Sequence, residues 1–403
     1  NKDIIMNTIT LPEPLAPGYL DQHEDITQHE IDALKTRFNL ADAHTHQRQS
    51  PTQKQIVSNL DQLWYRAEQR TQYAAERDFI NAFYTLHGQH TALQRADDIY
   101  LVYAASIGMQ ITATYLMKNK LRVGLIEPCF DNLHDLMKHM QVPMQALDES
   151  LFTAAGSLYD NLMKHALTLD AIVLVDPNNP TGFSLFADGT KSFMELVRFC
   201  CDFNKILILD FSFASFILAS GGKRPDVYEI LENSGVRYIA MEDTGKTWPL
   251  QDAKCSTILT SRDLNDDIYP IVTSVLLNVS PFILSLVTAY VEDSMQDDFA
   301  SVGTLLDTNR EVAIRHLDKG ILKYQTPLIR TSVAWFEIQN TAMRADDVQN
   351  FLLGHQIYVL PGQYFYWKHP DRGQRFIRVA LAREQALFAE AMERMEAALN
   401  ELG

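Results

Sequence analysis

The most constraining feature of this chain is a series of short apolar runs, each of which stops abruptly at a polar residue. They are DIYLVY (98–103), VGLIEP (123–128), AIVLVDPNNPTG (171–182), KILILDFSF (205–213) and VRYIAM (236–241). Runs of this length with no polar alternation read as strands buried on both faces. Amphipathic stretches of a dozen or more residues separate them. That alternation predicts an α/β fold: a large, mostly parallel sheet wrapped by helices, with ligands held at the carboxyl ends of the strands. Asn179 lies at such an end, Asp210 closes the fourth apolar run, and Lys246 sits on a turn beyond the last, in AMEDTGKTWPLQDAK (240–254).

The remainder of the chain fits around that sheet. Residues 1–22 read as an extended arm. Thr27 is the expected N-cap of a short helix, with Glu30 completing a capping box. Residues 50–88 read as helical from Ser50-Pro51 onward. Residues 104–117 form a helix that opens with small residues, a start suited to a phosphate. Residues 297–319 read as a long helix. From about residue 325, strand-like runs (329–338, 376–381) alternate with helices (345–353, 383–402), as in a smaller α+β domain. The expected division is an arm and short helix over 1–50, a large domain over 51–295 and a small domain over 296–403.

Composition excludes several functions. A formal charge of −16 argues against nucleic acid or anionic lipid as partner, because phosphate binding needs clustered Lys and Arg. Cys129, Cys200, Cys201 and Cys255 lack CxxC spacing, so neither a zinc site nor a disulfide framework is expected. The N-terminus has no signal-peptide pattern, and the expected location is cytoplasmic. Residues 269–291 carry no charge, but two prolines and Asn278 interrupt them. They are expected to form a buried core or subunit contact, with no membrane span. An HxH pair, His44 and His46, lies in a loop with one carboxylate nearby, and no metal is assigned to it.

Asn179-Pro180-Thr181-Gly182, Asp210, Lys246 and Arg378 in FIRVAL (376–381) occur in an order and spacing that resembles fold type I of the pyridoxal 5′-phosphate (PLP) enzymes. The closer resemblance is to the PLP-dependent L-arginine oxidases and hydroxylases. It covers nearly the whole chain from Thr27 and includes NLADAH (39–44), Leu63-Trp64, Phe130-Asp131-Asn132, LDFSF (209–213) and EDTGK (242–246). This resemblance implies that Lys246 forms the Schiff base with PLP and serves as the Cα base. It implies that Asp210 pairs with the pyridine nitrogen, Asn179 with O3′ and Phe130 with the ring face. Ser106, Ser212 and Lys254 would hold the phosphate, and Arg378 the substrate α-carboxylate. Thr27, Glu30, Asp42 and Asp243 would receive the substrate side chain under an N-terminal segment that closes over the site. His44, with a pKa near working pH, would be the catalytic acid/base.

The implied reaction is oxidation or hydroxylation of L-arginine by molecular oxygen, through Schiff-base and quinonoid chemistry. Its products would be 2-ketoarginine and 4-hydroxy-2-ketoarginine, and the enzyme a homodimer. Transaminases carry a small hydroxyl residue where this chain has Asp243, and Tyr where it has Phe213. From the arginine oxidases the chain departs at His46, where Arg is usual, and at Ala104-Ala105, where hydroxyl residues are. Two alternatives follow from the residues: a non-oxidative PLP enzyme, such as a hydroxyarginine cyclase or an aminotransferase, or a sensor without catalysis. For the sensor, no basic N-terminal DNA-binding module is visible.

Overall fold

The computed structural model describes residues 23–403, so the arm expected over residues 1–22 lies outside it. The apolar runs assemble into a seven-stranded sheet. In spatial order its strands are Tyr100–Val102, Ser256–Thr260, Arg237–Asp243, Ile206–Phe211, Ala171–Val175, Val123–Glu127 and Met144–Asp148. All pairs are parallel except those made by Ser256–Thr260, which runs antiparallel to both neighbours. The strands Val123–Glu127, Ala171–Val175 and Ile206–Phe211 are buried along their whole length, because helices cover both faces. The fold class is therefore the expected α/β arrangement.

Helix ends explain the main differences from the expected elements. Residues 50–88 form three helices rather than one: Pro51–Ser58, Leu60–Glu68 and Gln72–Leu86. Ser50 caps the first in a full capping box with Gln53, and Thr71 caps the third. The charge-free segment is also divided, by a loop between the helices Arg262–Val275 and Pro281–Asp297, and in that loop Leu277 is 96% exposed. Asp298 and Phe299 adopt left-handed backbone, which separates Pro281–Asp297 from the helix Ala300–Leu317. The strand expected from residue 329 begins at Val333. Among the described residues no helix is long and apolar enough to cross a membrane. The four cysteines are free, and Cys201 is exposed.

A second sheet, antiparallel throughout, orders Leu360–Pro361, Phe376–Ala380, Val333–Ile338 and Leu322–Tyr324. The N-terminal segment is stitched onto it. Leu40 O accepts from Ala380 N at 2.8 Å, and Phe38–Asn39 pairs in parallel with Ile357–Tyr358 as a separate two-stranded sheet. The helix Ile26–Ala33 packs Ile26 and Ala33 against Trp335, Tyr358, Leu360 and Phe365. Burying the Ile26 side chain there contributes about 2 kcal/mol. This helix starts earlier than expected: Asp25, not Thr27, is its N-cap, accepting from Gln28 N at 2.8 Å. Thr27 and Glu30 are thereby inside the helix, free to face inward.

Candidate active site

The inward ends of the strands open into a cavity of about 320 Å³ lined by Thr27, Glu30, His44, Ser106, Phe130, Asn179, Asp210, Ser212, Asp243, Lys246 and Lys254, with Asn132, Leu133, Val175 and Phe213. Eleven of the thirteen predicted site residues therefore meet in one place. Asp42 and Arg378 do not line it.

Each strand end delivers its group by local structure. Asp210 is the penultimate residue of Ile206–Phe211, and its Oδ1 accepts from Ser212 N at 2.9 Å and from Ser212 Oγ. Burial pushes its carboxyl upward, against those two hydrogen bonds. Ser212 thus already serves Asp210. Beyond Arg237–Asp243 the chain makes a loop closed at its neck: Thr244 N donates to Cys255 O at 3.1 Å, and Cys255 N to Thr244 Oγ1 at 2.9 Å. The loop presents Lys246 and Lys254. At Gly245, beside Lys246, an added Cβ would lie 2.7 Å from Lys254 Cδ and 3.2 Å from Asp243 Oδ2, so a larger residue would push both side chains aside. Burial lowers the Lys246 ammonium pKa, and Lys254 adds to that, while Glu30 and Asp243 oppose it. The amine stands 5.9 Å from the centre of the Phe130 ring.

The turn after Ala171–Val175 holds Asn179, whose Oδ1 accepts from the Arg378 guanidinium at 2.9 Å. Gly182 closes that turn at φ +71°, where a Cβ would fall 2.5 Å from Ile329 O. Arg378 is fully buried behind Asn179, and it also donates to Ala41 O at 2.5 Å and lies 3.4 Å from Glu30 Oε1. Its Nε has no partner among the described residues.

Carboxylates dominate the other wall. Burial raises the Asp243 pKa to about 6, with Lys254 and Lys246 opposing, and its Oδ1 is buried without a hydrogen-bond partner among the described residues. Burial also raises Glu30 to about 7, against Lys246 and Arg378. Asp42 is different. Its carboxylate accepts from Asn39 Nδ2, His46 Nε2 (2.8 Å) and His44 N (3.0 Å) and lies 3.6 Å from Arg383. Burial works to raise its pKa, but His46 and Arg383 hold it below the usual carboxylate range. It acts as a clamp on the loop carrying His44. His44 itself departs from the expectation of a pKa near working pH: burial and the Lys246 charge bring it down to about 4. Its Nδ1 lies 3.4 Å from Asp252 and 3.8 Å from Asp42.

Sequence reading missed two supports of this cavity. Asp131 Oδ2 accepts from both Thr27 N (2.8 Å) and Thr27 Oγ1 (2.9 Å), fastening the N-terminal helix across the site. Its signal was the Phe130-Asp131-Asn132 motif. Asp252 had none, since it reaches His44 only through a left-handed turn.

The donor set fits PLP. A buried amine, a buried carboxylate for a pyridinium nitrogen, a ring face and an amide are present. So is the start of the helix Ala105–Lys118, whose first-turn N–H groups have no side-chain cap, next to Ser106 and Lys254.

Comparison with known proteins agrees. The family model for aminotransferase class I and II matches residues 44–395. No curated protein matches. Among solved structures, that of MppP soaked with the product 2-ketoarginine superposes with a TM-score of 0.82 at 29% identity, covering 89% of this chain and 99% of that one. A PLP-bound putative aminotransferase from Clostridium difficile gives 0.74 at 16% identity, covering 96% and 98%. LysN, the α-aminoadipate aminotransferase of Thermus thermophilus, gives 0.75 at 13%, covering 98% and 99%. The last two carry the fold alone. With the match spanning most of its length and the site built for the same cofactor, this chain belongs to the aminotransferase class I and II family of PLP enzymes.

Proposed function

We propose that the protein is a PLP- and O2-dependent oxidase or hydroxylase of L-arginine or a close guanidino amino acid. The observation that carries this reading is the unpartnered, buried Asp243 Oδ1 beside Lys246, with Glu30 on the same cavity. Buried carboxylate oxygens are normally satisfied. A planar guanidinium offers the missing donors. The likeness to MppP, whose structure was soaked with 2-ketoarginine, supports the same substrate class.

Bound PLP supplies an electron sink for the pair left when a Cα proton is removed. The chain supplies the rest. Lys246 Nζ, its proton loosened by burial, is the group to take and return the Cα proton. Asp210 would keep the pyridine nitrogen protonated, and Asn179, whose oxygen Arg378 occupies, would have its amide N–H groups left for O3′. Ser106, Lys254 and the helix start would hold the phosphate, while Ser212, whose N–H and Oγ–H both go to Asp210, would join them only by turning its hydroxyl away from that carboxylate. Arg378 Nε is the donor left for the α-carboxylate. Thr27 and Glu30 close over the side chain. His44 is neutral at pH 7, a weak base that would hold a proton only briefly in passing it on, with Asp42 fixing its loop. Oxygen is the electron acceptor, and no metal is assigned. The charge-free segment, exposed at Tyr269, Val275 and Leu277, is assigned to a homodimer contact.

Competition between L-arginine and L-citrulline, its uncharged counterpart, tests the carrying observation. Arginine is expected to be preferred, and Asp243→Ser to lower kcat/KM for arginine by roughly 10- to 100-fold, the worth of a charge-assisted hydrogen bond. Citrulline turnover should change little. Equal losses on both substrates would remove Asp243 from substrate selection. The family match favours a second reading, transamination. It would consume no oxygen and would leave the cofactor in its amine form.

A further inference from the structure

Glu149 is a half-buried residue whose carboxylate no step above uses. It follows the strand Met144–Asp148, and its N–H donates to Glu127 O at 2.9 Å. Its Oε2 accepts from Asn178 Nδ2 at 2.8 Å and from Thr181 Oγ1 at 2.7 Å. Those two donors bracket Asn179. Asn178 Nδ2 also donates to Pro128 O at 2.8 Å, two residues before Phe130. One carboxylate oxygen therefore ties both flanks of the Asn179 turn, and through Asn178 it ties that turn to the segment carrying Phe130. A carboxylate is costly to bury, and this one has two neutral donors and no ion-pair partner among the described residues. Burial pushes its pKa up to about 7.

We infer that Glu149 is a positioning residue that aims the Asn179 amide, and with it the hydrogen bond to the cofactor's O3′. The inference rests on the role proposed above for Asn179. Its chemical consequence is specific. The proton on the lysine nitrogen of the bound cofactor is held partly by an internal hydrogen bond to O3′, and an amide N–H donated to O3′ competes with that bond. Losing the amide's aim strengthens the internal bond, so the nitrogen keeps its proton to higher pH.

The test is a pH titration of the visible absorption band of the PLP-loaded protein, in wild type, Glu149→Ala, Glu149→Gln, Thr181→Val and Asn179→Ala. Asn179→Ala sets the size of the full effect. Glu149→Ala is expected to raise the midpoint by roughly one pH unit, the size of one lost hydrogen bond. Thr181→Val should raise it less, and should still report if Glu149→Ala fails to fold. Glu149→Gln should keep the wild-type midpoint, because its amide oxygen accepts both donors. A shift with Asn179→Ala but none with Glu149→Ala or Thr181→Val would overturn the positioning role alone. No shift with Asn179→Ala would overturn the reading of Asn179, and the inference with it.

Discussion

Glu30 and Asp243 are two carboxyls that burial pushes toward neutral pH, to about 7 and about 6, in a cavity that also holds Lys246 and Lys254. Their charge state sets how well the site receives a cation. A guanidinium stays protonated throughout the useful range, so only the protein's side titrates. Because the Glu30 pKa is raised, its carboxylate is mostly protonated below about pH 7 and mostly ionised above it. KM for arginine should therefore fall several-fold between about pH 6 and pH 8. Glu30→Gln should flatten that dependence. Steady-state kinetics across the range checks it, and a KM that rises with pH would contradict the assignment. At this scale the residue types were legible in the sequence, because Asp210 closes a recognisable apolar run and Asn179 and Lys246 lie on turns just beyond two others. Asp42 and Arg378 do not line the cavity and stand behind residues that do. Their partners, Arg383 for Asp42 and Asn179 for Arg378, lie far away in the chain, and no local pattern reports them.

The helix Ile26–Ala33 is the element that changes a general site into a covered one. It packs on the second sheet through Ile26 and Ala33 but is fastened, through Thr27, to Asp131 at the start of the helix Asp131–His139 that follows a strand of the first. Asp131→Ala removes the acceptor of both Thr27 bonds. The expected result is a roughly tenfold higher KM for arginine with a smaller change in kcat, since about 1–1.5 kcal/mol of positioning is lost. Asp131→Asn, which keeps an acceptor oxygen, should recover part of it. An unchanged KM in Asp131→Ala would mean that the second sheet alone positions the helix. The strands were legible for a simple reason: burial on both faces demands uninterrupted apolar runs. The cap of this helix was misassigned because Asp25 and Thr27 are both good N-caps two residues apart, and only the contact to Asp131 decides between them. The antiparallel strand Ser256–Thr260, which mixes hydroxyl and apolar residues, offered no run to find.

For the whole molecule, the two larger sheets and the N-terminal segment enclose the cavity at the strand ends, the place an α/β sheet reserves for ligands. The exposed apolar side chains of the divided charge-free segment, Tyr269, Val275 and Leu277, lie outside that enclosure. The proposed dimer would cover them, since large exposed apolar patches are where subunits meet. Sedimentation velocity at micromolar concentration should show twice the mass of the chain, and Leu277→Asp should shift the population toward monomer. A wild-type monomer would contradict the dimer. The central claim, that this scaffold oxidises arginine rather than exchanging its amino group, is tested most directly by an oxygen trace. The PLP-loaded protein is incubated with L-arginine in air, and the products are weighed by mass spectrometry. The account predicts oxygen uptake in step with arginine loss, masses of 2-ketoarginine or its hydroxylated form, and neither signal in Lys246→Ala. Arginine consumed with no oxygen uptake, leaving the amine form of the cofactor or a cyclised product, would contradict it.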